Sequence, residues 1–138
     1  MNEVYTPTLA DFREMATGEA NLIPVYREFA ADLETPVSVY LKLRQLGGAS
    51  FLLESVEGEE QIGRYSFIGA NSQATLSEKD GKAIWVGTTP AGAPVGIDPL
   101  EALRLSAAHL RSPKIAGLPP LTGGLVGYLG YDSVRRLE

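Results

Sequence analysis

Between Phe51 and Val56 the sequence reads FLLESV. In an extended chain, strict alternation puts Phe51, Leu53 and Ser55 on one face and Leu52, Glu54 and Val56 on the other. Each apolar run therefore carries a polar group at its end. A carboxylate accepts from an ammonium, and a hydroxyl bonds a carboxylate or an amide. Glu54 and Ser55 could thus hold the polar ends of an amino acid at the rim of an apolar pocket. A plainer arrangement stands beside it: Ser55 caps a turn, and Glu54 meets solvent or pairs with Arg64.

Other chemistry-bearing residues point to less. The chain has no cysteine, which excludes disulfides, thiolate metal sites and cysteine nucleophiles. Its one histidine, His109, falls one position off the Leu100, Leu103 and Leu110 stripe and reads as a boundary or surface residue. Gly123, Gly124, Gly127 and Gly130 match neither GxGxxG nor GxxxxGK[ST], so a strand packed too closely for side chains is expected there. Glu57, Glu59 and Glu60 form an acidic loop without calcium-loop spacing. Trp85 reads as a core or rim residue, and Arg135-Arg136 as a surface pair too short for a nucleic-acid patch.

The elements that must position these residues follow from local signals. Thr8 and Asp11 open a helix whose stripe of Leu9, Phe12, Met15 and Ala16 stops at Gly18. Asn21 to Glu28 is apolar and holds Pro24, as an edge strand would. Thr35-Pro36 places a cap before a proline at the first helical position, and Gly47-Gly48 ends that helix. Ser50 to Val56 and Arg64 to Gly69 are expected strands joined by the acidic loop. Ala74 to Lys79 and Lys82 to Gly87 flank Asp80-Gly81, a strong hairpin signal that would pair Leu76 with Trp85. Asp98-Pro99-Leu100-Glu101 starts a third helix, with Leu100, Leu103, Ala107 and Leu110 on its apolar side and its end near Ser112-Pro113. The expected fold is α+β, a mostly antiparallel, sandwich-like sheet with about three flanking helices in one domain, 1–138.

At 138 residues, 44% apolar and 21% charged, the chain has the composition of a soluble globular domain. A domain of this size buries roughly 65–70% of its unfolded surface, enough for a core without staples. Lys and Arg number 12 against 17 Asp and Glu, a net charge of −5 that argues against nucleic-acid binding. The longest uncharged stretch, Ile115 to Tyr131, is too short and too rich in proline and glycine to span a membrane. No signal peptide is visible, and a cytoplasmic location is expected. The apolar segment near the C-terminus, with no later element to cover it, suggests a fragment that is expected to self-associate.

Five stretches carry a resemblance when taken in order: PVYRE (Pro24 to Glu28), TPVSVYLKL (Thr35 to Leu43), FLLESVEG (Phe51 to Gly58), GRYSFIG (Gly63 to Gly69) and GGLVGYLGYD (Gly123 to Asp132). Together they resemble the N-terminal region of anthranilate synthase component I, in the chorismate-utilising enzyme family, over most of the chain. The resemblance implies the N-terminal part of a larger two-domain enzyme. That enzyme would convert chorismate to anthranilate and pyruvate in tryptophan synthesis, with ammonia from a glutamine amidotransferase subunit and a requirement for magnesium. It implies that Leu53, Glu54 and Ser55 line an L-tryptophan feedback site, with Arg64 and Tyr65 as further pocket residues. The family's Asn-Pro-x-x-Tyr-Met motif, its acid/base residues and its magnesium carboxylates belong to the chorismate-binding region and do not occur here. The chain by itself is therefore expected to be inactive and to bind no metal. Two alternatives are the corresponding region of aminodeoxychorismate synthase component I and a stand-alone amino-acid-sensing or interaction domain.

Overall fold

The computed structural model of the protein describes residues 5–54 and 65–136. It is α+β, with three α-helices and two small antiparallel sheets in two compact units. One unit comprises Met1–Ser72 with Leu110–Gly123, the other Gln73–His109 with Gly124–Glu138.

In the first unit, helix α1 (Leu9–Ala16) begins where the Thr8 hydroxyl accepts from the backbone N–H of Asp11 and donates to its carboxylate. Helix α2 (Pro36–Leu43) has a complete reciprocal cap: Thr35 Oγ1 accepts from Ser38 N at 3.1 Å, and Ser38 Oγ accepts from Thr35 N at 2.9 Å. These bonds satisfy amides that a helix start leaves without intrahelical partners. A 3-10 turn, Arg44–Leu46, extends α2 to Gly47, whose φ of 81° only glycine adopts cheaply.

Strand β1 (Phe51–Glu54) pairs antiparallel with β2 (Ser66–Gly69), and α2 packs against both. Phe51 lies opposite Gly69, and a Cβ at Gly69 would stand only 2.1 Å from the Phe51 ring. The missing side chain is what lets the ring lie over the neighbouring strand.

The edge strand expected over Asn21 to Glu28 reduces to one bridge, between Thr6 and Tyr26. Both its hydrogen bonds are 2.8 Å long. The next hydrogen-bonded pair of that register would be Thr8 with Pro24, and proline has no N–H to give. The segment is instead tied down by the backbone N–H groups of Asn21 and Leu22 on the Arg111 carbonyl and by Arg111 N on Asn21 Oδ1 at 2.7 Å.

In the second unit, β3 (Ala74–Lys79) and β4 (Lys82–Gly87) form the expected hairpin, with Leu76 opposite Trp85. Asp80 and Gly81 have φ of 51° and 77°, the two positive values a type I′ turn demands. Helix α3 (Pro99–His109) packs on both strands. Its cap is Asp98, whose Oδ1 accepts from Leu100 N at 2.9 Å and Glu101 N at 3.2 Å. Glu101 does not return to the cap. It takes a bidentate pair from Arg104 at 2.7 and 2.9 Å, a stronger charge-assisted arrangement than one backbone amide offers.

The expected core is also corrected. Ala107 is exposed, and the buried positions of α3 are Ala102 and Ser106. Small residues four apart let the helix axis approach the sheet closely, and Ala83 on β4 is fully buried with Ala102. Among the described residues Pro7 is the other buried apolar residue, and no large side chain is fully buried.

The Gly123 to Asp132 segment is not a strand. A Cβ at Gly124, Gly127 or Gly130 would meet nothing within 4 Å, so the glycines are not there for close packing within this chain. Leu125, Val126, Leu129 and Tyr128 are exposed, the last to 94%. The segment leads into a 3-10 turn, Tyr131–Arg136.

Candidate functional site

The Glu54–Ser66 end of the β1–β2 pair holds three of the residues singled out in the sequence. The antiparallel register sets Leu53 opposite Phe67 and Glu54 opposite Ser66. Cross-strand partners share a face. Leu53 therefore lies with Phe51 and Phe67, and Glu54 lies with Ser66, Leu52 and Ile68. Tyr65 immediately precedes β2 at the Glu54 end, half-buried, with its ring 6.1 Å from that of Phe67 and tilted 38°. Leu53 is 46% exposed and Glu54 is exposed. This end of the strand pair thus offers Leu53 and the Phe67 ring on one face, the tilted Tyr65 ring beside Phe67, and the exposed Glu54 carboxylate on the other face. Ser55 and Arg64, the other two candidates, lie outside the described residues, as does the Glu57 to Gln61 loop.

Such an arrangement can do non-covalent chemistry. The carboxylate can accept from an ammonium, and the apolar and aromatic groups can receive a side chain. Among the described residues no group of three or more His, Asp or Glu is placed to hold a metal ion.

Two cavities are lined by residues of the second unit, and neither involves Leu53, Glu54 or Tyr65. One, about 320 Å³, is bordered by Glu78, Gly130, Tyr131, Asp132, Ser133 and Arg136. The other is an open groove beside the β3–β4 turn and Trp85. Trp85 is half-buried and its Nε1 donates to the Pro94 carbonyl at 3.0 Å, in keeping with a rim residue. His109 is exposed at the end of α3.

Arg136 departs from the sequence expectation. It is not half of a surface pair: its side chain is 28% exposed and reaches Asp98 Oδ2 at 2.5 Å and Glu78 Oε1 at 2.9 Å. Arg135, by contrast, is 83% exposed and stands 3.9 Å from Asp132. The backbone N–H of Glu101 and the Arg136 guanidinium together hold the Asp98 carboxyl below the usual carboxylate range. Hydrogen bonding to Asp98 raises Arg136 in return. No local signal marks Arg136, because its partners lie 38 and 58 residues away.

No helix among the described residues is long and apolar enough to cross a membrane. No family model matches the chain. Curated relatives do match. Anthranilate synthase component 1 of Mycolicibacterium smegmatis is 50% identical over 133 residues, 96% of this chain and 25% of the relative. The protein of the same name from Arthrobacter globiformis is 46% identical over 98% of this chain and 25% of the relative. That from Synechocystis is 39% identical over 96% and 26% respectively. The chain is a homologue of proteins named anthranilate synthase component 1, and it spans about a quarter of the length of the curated relatives it matches.

Proposed function

We propose that this chain is the N-terminal region of an anthranilate synthase component I, and that it contributes the L-tryptophan feedback site of the full-length enzyme. The observation that carries this reading is identity of 39–50% over almost the whole chain to proteins of that name. In this reading the full-length enzyme converts chorismate to anthranilate and pyruvate in the cytoplasm. It takes ammonia from a glutamine amidotransferase subunit and uses magnesium held by residues elsewhere in the polypeptide. Glu54 accepts from the ammonium of tryptophan, Ser55 bonds its carboxylate, and Leu53 with Tyr65 and Arg64 completes one wall. The exposed Leu53 on the face of the Phe67 ring supports it, with Glu54 exposed at the same end of the strand pair on the other face, since a ligand site needs a few polar groups on an apolar rim.

Inhibition curves on the full-length protein test the assignment. Loss of one partner of a buried hydrogen bond costs roughly 1–3 kcal/mol, about 5- to 150-fold in affinity. Glu54→Ala and Ser55→Ala should each raise the tryptophan concentration for half-inhibition at least several-fold and leave KM for chorismate nearly unchanged. Normal inhibition with a lowered melting temperature in both variants would reduce these residues to a structural role.

A further inference from the structure

We propose that Arg136 is a latch whose ion pairs with Glu78 and Asp98 hold the Tyr131–Arg136 turn, and with it the apolar Gly124–Gly130 strap, on the β3–β4 hairpin and the α3 cap. The inference is independent of the functional reading above. Three observations support it. Arg136 joins three separate pieces of the second unit: β3 through Glu78, the start of α3 through Asp98, and its own 3-10 turn. Among the described residues no backbone hydrogen bond joins Gly124–Arg136 to the rest of that unit; outside the bonds within the 3-10 turn itself, the bond from Ser133 N to the Gly130 carbonyl is internal to the segment. The strap has open space at Gly124, Gly127 and Gly130, and Tyr128 and Tyr131 are exposed to 94% and 91%.

A segment with free glycines and solvated side chains has little to order it apart from its anchor. The anchor is electrostatic. Both carboxylates are nearly half exposed, so salt screens these pairs. With the latch closed, the strap runs to a fixed point beside the helix cap. With it open, the strap gains freedom, and its tyrosines and leucines can seek other cover.

Backbone NMR relaxation on the 138-residue chain tests this. In the wild type at low salt, order parameters over Tyr131–Arg136 should sit near the rigid value of about 0.85; in Arg136→Gln they should fall below about 0.6 while β3 and β4 stay rigid. Asp98→Asn keeps the cap, because asparagine caps as well as aspartate, yet should loosen the turn by removing one charge. High salt should reproduce the loss in the wild type and add nothing in Arg136→Gln. A rigid turn in Arg136→Gln, or a wild-type turn indifferent to salt, would overturn the latch. Loss of order in β3 and β4 along with the turn would also overturn it, making Arg136 a general structural residue. Should Arg136→Gln not fold, the salt series on the wild type decides alone.

Discussion

Single residues in this chain matter most where backbone meets backbone. Gly87 has φ of 92°, and a Cβ there would stand 2.4 Å from the Gln73 carbonyl oxygen. Gly81 has a similar φ of 77° but faces open space. Both pay the left-handed penalty on substitution, roughly 1–2 kcal/mol. Only Gly87 adds a clash with main chain that cannot swing aside, worth about 1–3 kcal/mol more. Chemical denaturation should therefore rank Gly87→Ala well below Gly81→Ala in stability. Equal losses would mean that the Gln73 carbonyl moves freely, and that the start of β3 is not held where the structure puts it. Glu54 poses the opposite case, a solvated side chain whose substitution should cost little folding stability, and this is what makes its effect on inhibition interpretable.

The helices depend on their ends. Thr35 and Ser38 cap α2, and Glu34 beside them accepts from Lys42 and Ser38. Asp98 caps α3, and Glu101 pairs with Arg104 within its first turns. Hydrogen bonds hold all three carboxyls below their ordinary values: from Lys42 first for Glu34, from the Glu101 N–H and then Arg136 for Asp98, and from Arg104 for Glu101. A carboxyl whose folded pKa is depressed binds fewer protons when folded than when unfolded. Its stabilisation is present above the unfolded pKa and is lost as pH falls through the folded one. Melting temperature should thus be flat above about pH 5 and decline below about pH 4, the ordinary carboxylate range. Asp98→Asn and Glu101→Gln should shallow that acid limb. An unchanged limb in the double variant would remove these helix ends from the account of acid sensitivity.

At the scale of the whole molecule, the balance of surface and core is unusual. Large apolar side chains from Leu33, 99% exposed, to Tyr131, 91% exposed, face solvent, while the buried apolar residues among those described are small: two alanines and Pro7. Exposed apolar patches of several hundred Å² drive association. Sedimentation of the 138-residue chain should show dimers or larger species at micromolar concentrations, and Tyr128→Ser with Leu129→Ser should shift it toward monomer. A wild-type monomer at high concentration would show these side chains to be harmless in water. A second expectation concerns activity. The described residues gather no group of three or more His, Asp or Glu placed to hold a metal ion. With chorismate, ammonium and magnesium, the chain alone should give no anthranilate fluorescence above a heat-treated control. Turnover would place catalytic residues in this chain and overturn the division of labour proposed for the full-length enzyme.

What the sequence determined by itself was everything decided within a few residues. Thr35-Pro36 and Asp98-Pro99 open helices because cap and proline act on the adjacent turn, and Asp80-Gly81 closes its hairpin because both residues tolerate positive φ. The pairing of Leu76 with Trp85 follows from that turn. The five ordered motifs carried the family resemblance, and the strands expected over Ser50 to Val56 and Arg64 to Gly69 appear as the β1–β2 pair. Tertiary structure alone decided the rest. Whether Asn21 to Glu28 became a strand depended on a partner, and the partner it found meets Pro24 where a donor is needed. The Gly123 to Asp132 run has strand-like composition but pairs with no strand among the described residues, and Gly124, Gly127 and Gly130 stand in open space. The face that α3 buries was set by how closely the helix approaches β4, which selects Ala102 and Ser106 over the leucine stripe. Arg136 found carboxylates far off in sequence. Local signals cannot report such choices, because a pairing across dozens of residues is set by which surfaces the folded chain brings together.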